Sequence, residues 1–494
     1  MYKRQLLLAG LSEVNDGRPR LHVAMASGPG FRPGWLTSAS TGRAPYAQLI
    51  DYAPTVLRAL DLAEPASVNG QPVTVGGTRP PLADAVAELD RLDVRAAVHY
   101  RSTGTFFLTL VVVDGALLAL AVLVLGGIAV RGRWPWSPAR CRSPPTWERA
   151  GSPRLALAGA VLAADLLVAA VAALGPWRRA RLGPPAVLLG VTLGTVVADV
   201  LTGSHLELNG LLGYDPIVAG RFTGYGNLTF GLYAVAALLL TAGLADLVHR
   251  RAAARGRPER RVLWLAPVLA AGAVSIVLQG SPSLGRDFGG VLAAVPGFVV
   301  LGMLLAGIRV TVTRLVAVLA GAVLVVGGVA VLDWLRPADQ RSHLGRFVAQ
   351  VLDGQAWTVI SRKGQANLSI LFGSVLSWML VVALVAAVWL LRPGGPLRSR
   401  PGRPVAGLGE DARRVLRAGL IVVALSLTVG ALVNDSGVAL PATAATLLVP
   451  LLVWLVAGSP AAASAEPGSD GVGPGSTPDD GGPRVTVVSR GSTG

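Results

Sequence analysis

The sequence has little cysteine, lysine or charge. Its 494 residues include one cysteine, Cys141, so no disulfide can form within the chain. Lysine occurs only at Lys3 and Lys363, while arginine, alanine and glycine abound, a bias expected of translation from GC-rich DNA. The chain contains no G-x-x-x-x-G-K-[ST] phosphate loop, no H-E-x-x-H zinc spacing and no paired-cysteine motif. These absences argue against an ATP-driven pump and a metalloprotease.

What the chain has instead is long apolar runs. Hydrophobic residues make up 52% and charged residues only 15%, with a positive mean hydropathy of +0.56. Ten runs approach the roughly 20 apolar residues that a bilayer crossing needs. They lie near 105–130, 154–174, 185–201, 228–248, 262–279, 290–307, 312–332, 368–391, 414–433 and 438–457. The fold class predicted is mainly α: a polytopic transmembrane helical bundle of about ten helices over 105–457, preceded by a small α/β segment over 6–104. Residues 458–494, rich in Gly, Pro, Ser and Asp, lack an apolar period and are expected to be a disordered tail. The net charge of +16 sits in arginine clusters between the apolar runs, where it sets topology, so nucleic acid is not the expected partner.

Arginine asymmetry gives the orientation. HRRAAARGRPERR (249–261) and the loop 392–414 are the strongest positive-inside signals and agree with one another. Residues 202–227, 280–289, 333–367 and 434–437 then face outward from the bacterial cytoplasmic membrane, as do 6–104, and the tail is cytoplasmic. One parity conflict remains: 131–153 and 175–184 both read as cytoplasmic, with only one apolar run between them. Either that run is a re-entrant hairpin or a helix is missing. The dense Pro, Trp, Ser and Arg of RGRWPWSPARCRSPPTWERAGSPR favours a lost or frameshifted helix.

The first five residues, MYKRQ, match what a GTG start followed by TAT AAG AGA CAG would encode, and read as a cloning or assembly scar. No signal peptide precedes residue 6, so the natural N-terminus is expected upstream. LHVAMA is a short alternating strand entering the GPG turn, and LIDYAPTVLRALDL starts a helix with Asp51 able to cap it and Pro54 in its first turn. Together with LTSAST, D-x-A-P-T-x-L and P-x-S-V-N-G-Q-P, this region, residues 20–75, resembles the C-terminal end of the alkaline-phosphatase-like superfamily, which includes sulfatases and phosphoglycerate mutases. The rest of the chain resembles multipass membrane proteins of high-GC actinobacteria that carry such a domain outside the membrane. That second likeness rests on LTGSHLELNGLLGYDPIVAGRFTGYGN, LGRDFGG, DWLRPADQRSHLGRF and NDSG. The resemblance implies a Ser or Thr nucleophile and divalent metals in intact relatives, held mostly by residues upstream of the GPG turn. Only His22 falls near a late metal-ligand position, and a lone strand histidine is more often a packed or surface residue. Asp51 and Pro54 read as structural.

The outward loops carry the other candidates. Loop 202–227 places His205, Glu207, Asn209, Asp215, Arg221 and Asn227 among Tyr214, Phe222 and Tyr225, a mixture suited to a polar headgroup or sugar; the plainer reading is a solvated loop with turn glycines. Asp287 stands in LGRDFGG. Loop 333–367 sets Arg336, Arg341, His343, Arg346, Arg362 and Lys363 against Asp333, Asp339 and Asp353, so it is net basic. Within it Leu344, Phe347, Val348, Val351 and Leu352 recur at helical spacing, giving either a short amphipathic helix for a lipid surface or a lid packed on the bundle. Guanidinium forks match phosphate oxygens, so a phosphorylated lipid or polyprenyl-linked glycan is the expected ligand. Asp114, Asp165 and Asp199 are acids inside apolar runs, each costing roughly 2.5–3.5 kcal/mol at a helix centre; they could form a proton or cation path, but Asp199 is near an outer end and could simply reach the interface, and Asp165 lies in the run whose topology is in conflict. Three functions follow: presentation of an anionic envelope lipid or glycan to a phosphatase-like domain, secondary transport or flipping, and an envelope scaffold without ligand.

Overall fold

The computed structural model describes residues 5–10, 17–65, 68, 70–125, 153–180, 182–208, 210–256, 261–337, 341, 343–391 and 408–457. MYKR, the segment 126–152, Asn209, Asp339 and the tail 458–494 lie outside them. So, therefore, do the proposed scar apart from Gln5, most of the suspect Arg-rich stretch, and the predicted disordered tail.

The N-terminal segment is a light α/β assembly. β1 (Leu6–Ala9) pairs antiparallel with β2 (Ala24–Ser27), and β3 (Leu36–Thr37) with β4 (Thr74–Val75). The expected strand runs into the GPG turn as β2, and the expected helix is α1 (Tyr52–Ala59), with Pro54 buried in its first turn. Asp51 stands at the N-cap position of α1, but its side chain makes no capping bond to that helix. Its carboxylate accepts from Ser38 Oγ (2.6 Å), from the backbone N–H of Gln48 (2.9 Å) and from that of Gln71 (2.9 Å), tying three strands of loop together in a fully buried position.

The first predicted span proves to be the second half of a longer element. α2 (Leu82–Leu125) is one continuous helix of 44 residues. At 1.5 Å per residue it extends about 66 Å, roughly twice the ~30 Å hydrocarbon core, so its first half projects beyond a bilayer. The N-terminal segment is pinned to that projecting half, where Asp93 Oδ1 accepts from the N–H of Leu21 (2.8 Å).

Each remaining apolar run coincides with a helix: α3 (Pro153–Leu174), α4 (Gly183–Leu201), α5 (Asn227–Ala254), α6 (Arg261–Gly280), α7 (Phe288–Leu305), α8 (Val312–Trp334), α12 (Glu410–Val433) and α13 (Ala439–Ala457). Before α12 come α9 (His343–Leu352), α10 (Ala356–Gly373) and α11 (Trp378–Leu391). Among the described residues six helices are long and apolar enough to cross a membrane, or seven if the bent pair α10 and α11 forms one span. The chain is thus a multipass membrane protein. The run 368–391 is not a single straight span: it breaks at Ser374 and bends by 79°.

α5 is the axis of the bundle. It packs on α4, α6, α7, α12 and α13, and Tyr233, Ala234, Val235, Ala236, Ala237 and Leu238 are all buried in sequence order, a helix apolar on every side because every side meets a neighbour. Lipid tails are as apolar as leucine, so close approach of small residues supplies the packing energy between such helices. At Gly231 a Cβ would stand 2.7 Å from the carbonyl of Leu440, which leaves room only for glycine where α5 meets α13. α2, α11 and α13 form a second cluster around Phe107, Leu118, Met379, Ala386 and Trp389. By contrast α8 exposes Val323, Leu324, Val325 and Leu332, as a lipid-facing helix would.

Candidate functional site

The loops predicted to lie outside converge at one end of the bundle, here called the head, and the N-terminal segment sits on them. Asp199 ends α4 there. Its carboxylate accepts from the N–H groups of Leu206 (2.7 Å) and Glu207 (3.0 Å), folding the chain back over the helix end. Asp199 is therefore buried and hydrogen-bonded as a loop anchor. Beyond it the N–H of Tyr214 reaches the carbonyl of Glu207 (2.6 Å), and the Tyr214 hydroxyl donates to the carbonyls of Gly224 and Thr223. The N–H of Tyr225 donates to the carbonyl of Gly285 (2.8 Å), stitching LTGSHLELNG…GYGN to LGRDFGG. Gly224 has φ +84° and its missing Cβ would overlap the Gly285 carbonyl, so glycine is required there.

The N-terminal segment closes over this platform. Arg43 donates to the carbonyls of Gly203 and Ser204, Gln48 Nε2 to that of Ala219 (2.6 Å), and Arg286 to the Thr223 hydroxyl (2.9 Å) and the Ala39 carbonyl (3.4 Å). The rings of Tyr46 and Phe222 meet with centroids 5.2 Å apart. Between segment and platform lies a cavity of about 720 Å³. Its charged lining is Arg43, Arg95, Arg286 and His205 against the single carboxylate of Glu88. Burial lowers the pKa of Arg43 and Arg286 from the ordinary arginine value, with Arg221 adding to the effect on Arg286. Positive charge is thus held where water solvates it poorly, which favours an anion as partner.

Beneath the cavity lies a buried polar layer. Glu207 is buried with Oε2 unpartnered, and burial pushes its pKa up to about 7, opposed by the Thr229 hydroxyl, the Gly226 N–H and Arg221. Asp287 caps α7 by accepting from the N–H of Gly290 (3.0 Å); burial raises its pKa, with Arg221 opposing. Burial also raises the pKa of Tyr214 and of Tyr225. Gln279 and Asn434 complete the layer. Asn227 Nδ2 donates to Ser436 Oγ (2.9 Å), so NDSG belongs to the same head. Asp215 lies 4.0 Å from Nε2 of the buried His99 on α2.

The basic loop after α8 is tied up internally. Buried Asp333 accepts from the N–H of Gly345 (2.9 Å) and pairs with Arg336 (3.5 Å). Arg341 donates to the Arg336 carbonyl (2.9 Å) and lies over the Trp334 ring at 5.7 Å. Arg346 donates to the carbonyls of Arg341 (3.2 Å) and Gly70 (3.1 Å), bridging α9 to the N-terminal segment. Lys363 binds Asp435 (3.0 Å) and the Val433 carbonyl (3.1 Å), whereas Arg362 is exposed. The side chain of His343 lies outside the described residues.

His22 is exposed beside Gly10, away from the head cavity. Among the described residues no group of three or more His, Cys, Asp and Glu is placed to hold a metal ion. Asp114 is buried within α2 with Oδ2 unpartnered, and the side chain of Asp165 lies outside the described residues. Sequence reasoning missed Arg43, Arg95, Arg286, Glu88 and Gln279. Only Arg286 had a usable signal, since it adjoins Asp287 in a motif already singled out. Comparison of the chain with protein-family models, with curated proteins and with solved structures finds no match.

Proposed function

We propose that this multipass membrane protein binds the anionic headgroup of an envelope lipid or lipid-linked glycan in the head cavity. The observation that carries this reading is three arginines and a histidine against one glutamate around about 720 Å³, a volume suited to a headgroup. Backbone strain supports it: Ser204, Ala219 and Arg286 have positive φ without being glycine, and Ser204 and Arg286 line the cavity. The described ends of α5, α7 and α11 and the starts of α6, α8 and α12 lie at the opposite end of the bundle, and the strongest arginine clusters of the sequence adjoin them in the chain. By the positive-inside rule that end is cytoplasmic, and the head and residues 6–104 are extracytoplasmic. The likeness of residues 20–75 to alkaline-phosphatase-like proteins is the reason to propose hydrolysis or group transfer as the chemistry served, with the bundle presenting the headgroup.

Titration of the detergent-solubilised protein with short-chain phosphatidic acid and with short-chain phosphatidylcholine tests the binding. The phosphatidic acid should bind more tightly, and the double substitution Arg43→Gln, Arg286→Gln should weaken it by tenfold or more. Equal affinity for the two lipids, or affinity unchanged by the substitutions, refutes the proposal. A second reading, coupled transport, rests on buried Asp114 with its unpartnered oxygen in an apolar helix. Proton-dependent uptake of phospholipid into vesicles, abolished by Asp114→Asn, would favour it over presentation.

A further inference from the structure

α10 meets three environments on three faces, and its axis lies nearly perpendicular to the helix that follows. Lys363, Ala366, Asn367 and Ile370 share the face turned to the bundle. Lys363 binds Asp435 and Val433, Asn367 Oδ1 accepts from the N–H of Val438 (3.1 Å), and Ile370 packs by Phe107 and Met379. The partners of Lys363 and Asn367 belong to the α12–α13 turn, so this stretch of α10 lies at the head. A second face carries Trp357, Ile360, Leu368, Leu371 and Phe372, all exposed, with Trp357 and Phe372 at 75% and 83%. A third carries Thr358, Arg362, Gln365 and Ser369, also exposed. Successive residues of an α-helix turn by about 100°, which separates the three sets into distinct sectors.

We infer that α10 is an in-plane helix seated in the lipid interface of the membrane the bundle crosses. Its apolar sector enters the acyl boundary and its Arg362 sector faces water. The occupant of the apolar sector is lipid, because the sector continues into exposed Val375 and Trp378 at the start of α11, the limb that turns by 79° into the bundle. Tryptophan and arginine at this level are the residues that anchor helices at a membrane boundary. Arg346 of α9, the helix that precedes α10 in the chain, is bound to Gly70 of the N-terminal segment. Had α10 instead been the upper half of a broken span, its apolar residues would descend steadily through the bilayer.

Nitroxide depth measurements on the full chain in phosphatidylcholine nanodiscs test this. Single cysteines replace Ile360, Leu368 and Phe372, or Arg362, Gln365 and Ser369, in a Cys141→Ser background; all six positions are exposed, so folding is not at stake. The first three labels should be accessible to oxygen and shielded from a water-soluble nickel chelate, at depths agreeing within a few ångströms, and the other three should be accessible to nickel. A depth difference near the ~18 Å that twelve helical residues span would show a transverse helix and overturn the inference. So would uniform nickel access, as for a lid in water, or oxygen exclusion with spin–spin coupling between labels, as for contact with a second copy.

Discussion

Replacing Glu207 by glutamine should change the pH dependence of stability in one direction only. The carboxyl is 5% exposed, and its pKa rises from the ordinary 4.5 to about 7. In the unfolded chain the group loses its proton near 4.5, while in the folded protein it keeps it until about 7. The folded state therefore binds more protons across that window, and stability falls as pH rises through it. Below pH 4.5 the term vanishes; above 7 it is fully developed. At 1.36 kcal/mol per pH unit the full loss is about 3 kcal/mol. Glutamine cannot ionise and should escape it. Thermal unfolding of the detergent-solubilised protein, followed by tryptophan fluorescence from pH 5 to 8, is the assay. Melting temperature should fall with pH more steeply in the native protein than in Glu207→Gln, with the gap widest at pH 8. Parallel curves would show that Glu207 is solvated or charge-paired throughout, and would refute the reasoning.

Other expectations follow from single contacts. Asp51→Ala leaves the buried Ser38 hydroxyl and two half-buried N–H groups without their acceptor, at up to about 1–3 kcal/mol each; hydrogen exchange over residues 38–75 should accelerate, and unchanged protection would contradict the role given to Asp51. Asp199→Ala should release the N–H groups of Leu206 and Glu207 and accelerate exchange over 204–208 while α4 stays protected. Gly231→Val should force α5 away from α13 and destabilise the bundle by about 1–3 kcal/mol, read as a lower melting temperature. Arg346→Ala should leave the transmembrane bundle intact but make the N-terminal segment more susceptible to added protease.

The helices were legible because bilayer burial writes itself into composition: each apolar run except 368–391 lies on a single helix. The break at Ser374 was not, because ILFGSVLSWML (370–380) is apolar on both sides of it and the bend depends on α10 finding partners in the distant α12–α13 turn. The starting point of α2 was hidden for the opposite reason, since LADAVAELDRLDVRAAVHYR is polar enough to read as part of a soluble segment while continuing the same helix. At the site, the sequence singled out the strings that converge at the head but not the cations that line the cavity. Arg341 gains backbone and aromatic partners from the local corner and Arg346 bonds Arg341 and the distant Gly70, whereas Arg43 and Arg95 become neighbours of Arg286 only through chain packing across more than 190 residues. Periodicity and charge counts carry no information about that approach. Asp199 shows the same limit: for an acid near the end of an apolar run, the sequence leaves a transport path and a simple reach to the interface both open until its two N–H partners are seen.

Where an anionic lipid touches the protein is the most direct test of the head cavity as its binding site. A photoactivatable phosphatidic acid carrying its diazirine close to the phosphate, incorporated into nanodiscs with the full chain, would mark its contacts, and peptide mapping would locate them. The head cavity predicts adducts on 42–46, 203–208 and 282–286, lost on competition with unlabelled phosphatidic acid and in the Arg43→Gln, Arg286→Gln variant. Adducts confined to the lipid-facing surfaces of α2 and α8, unaffected by competitor or by the substitutions, would contradict it.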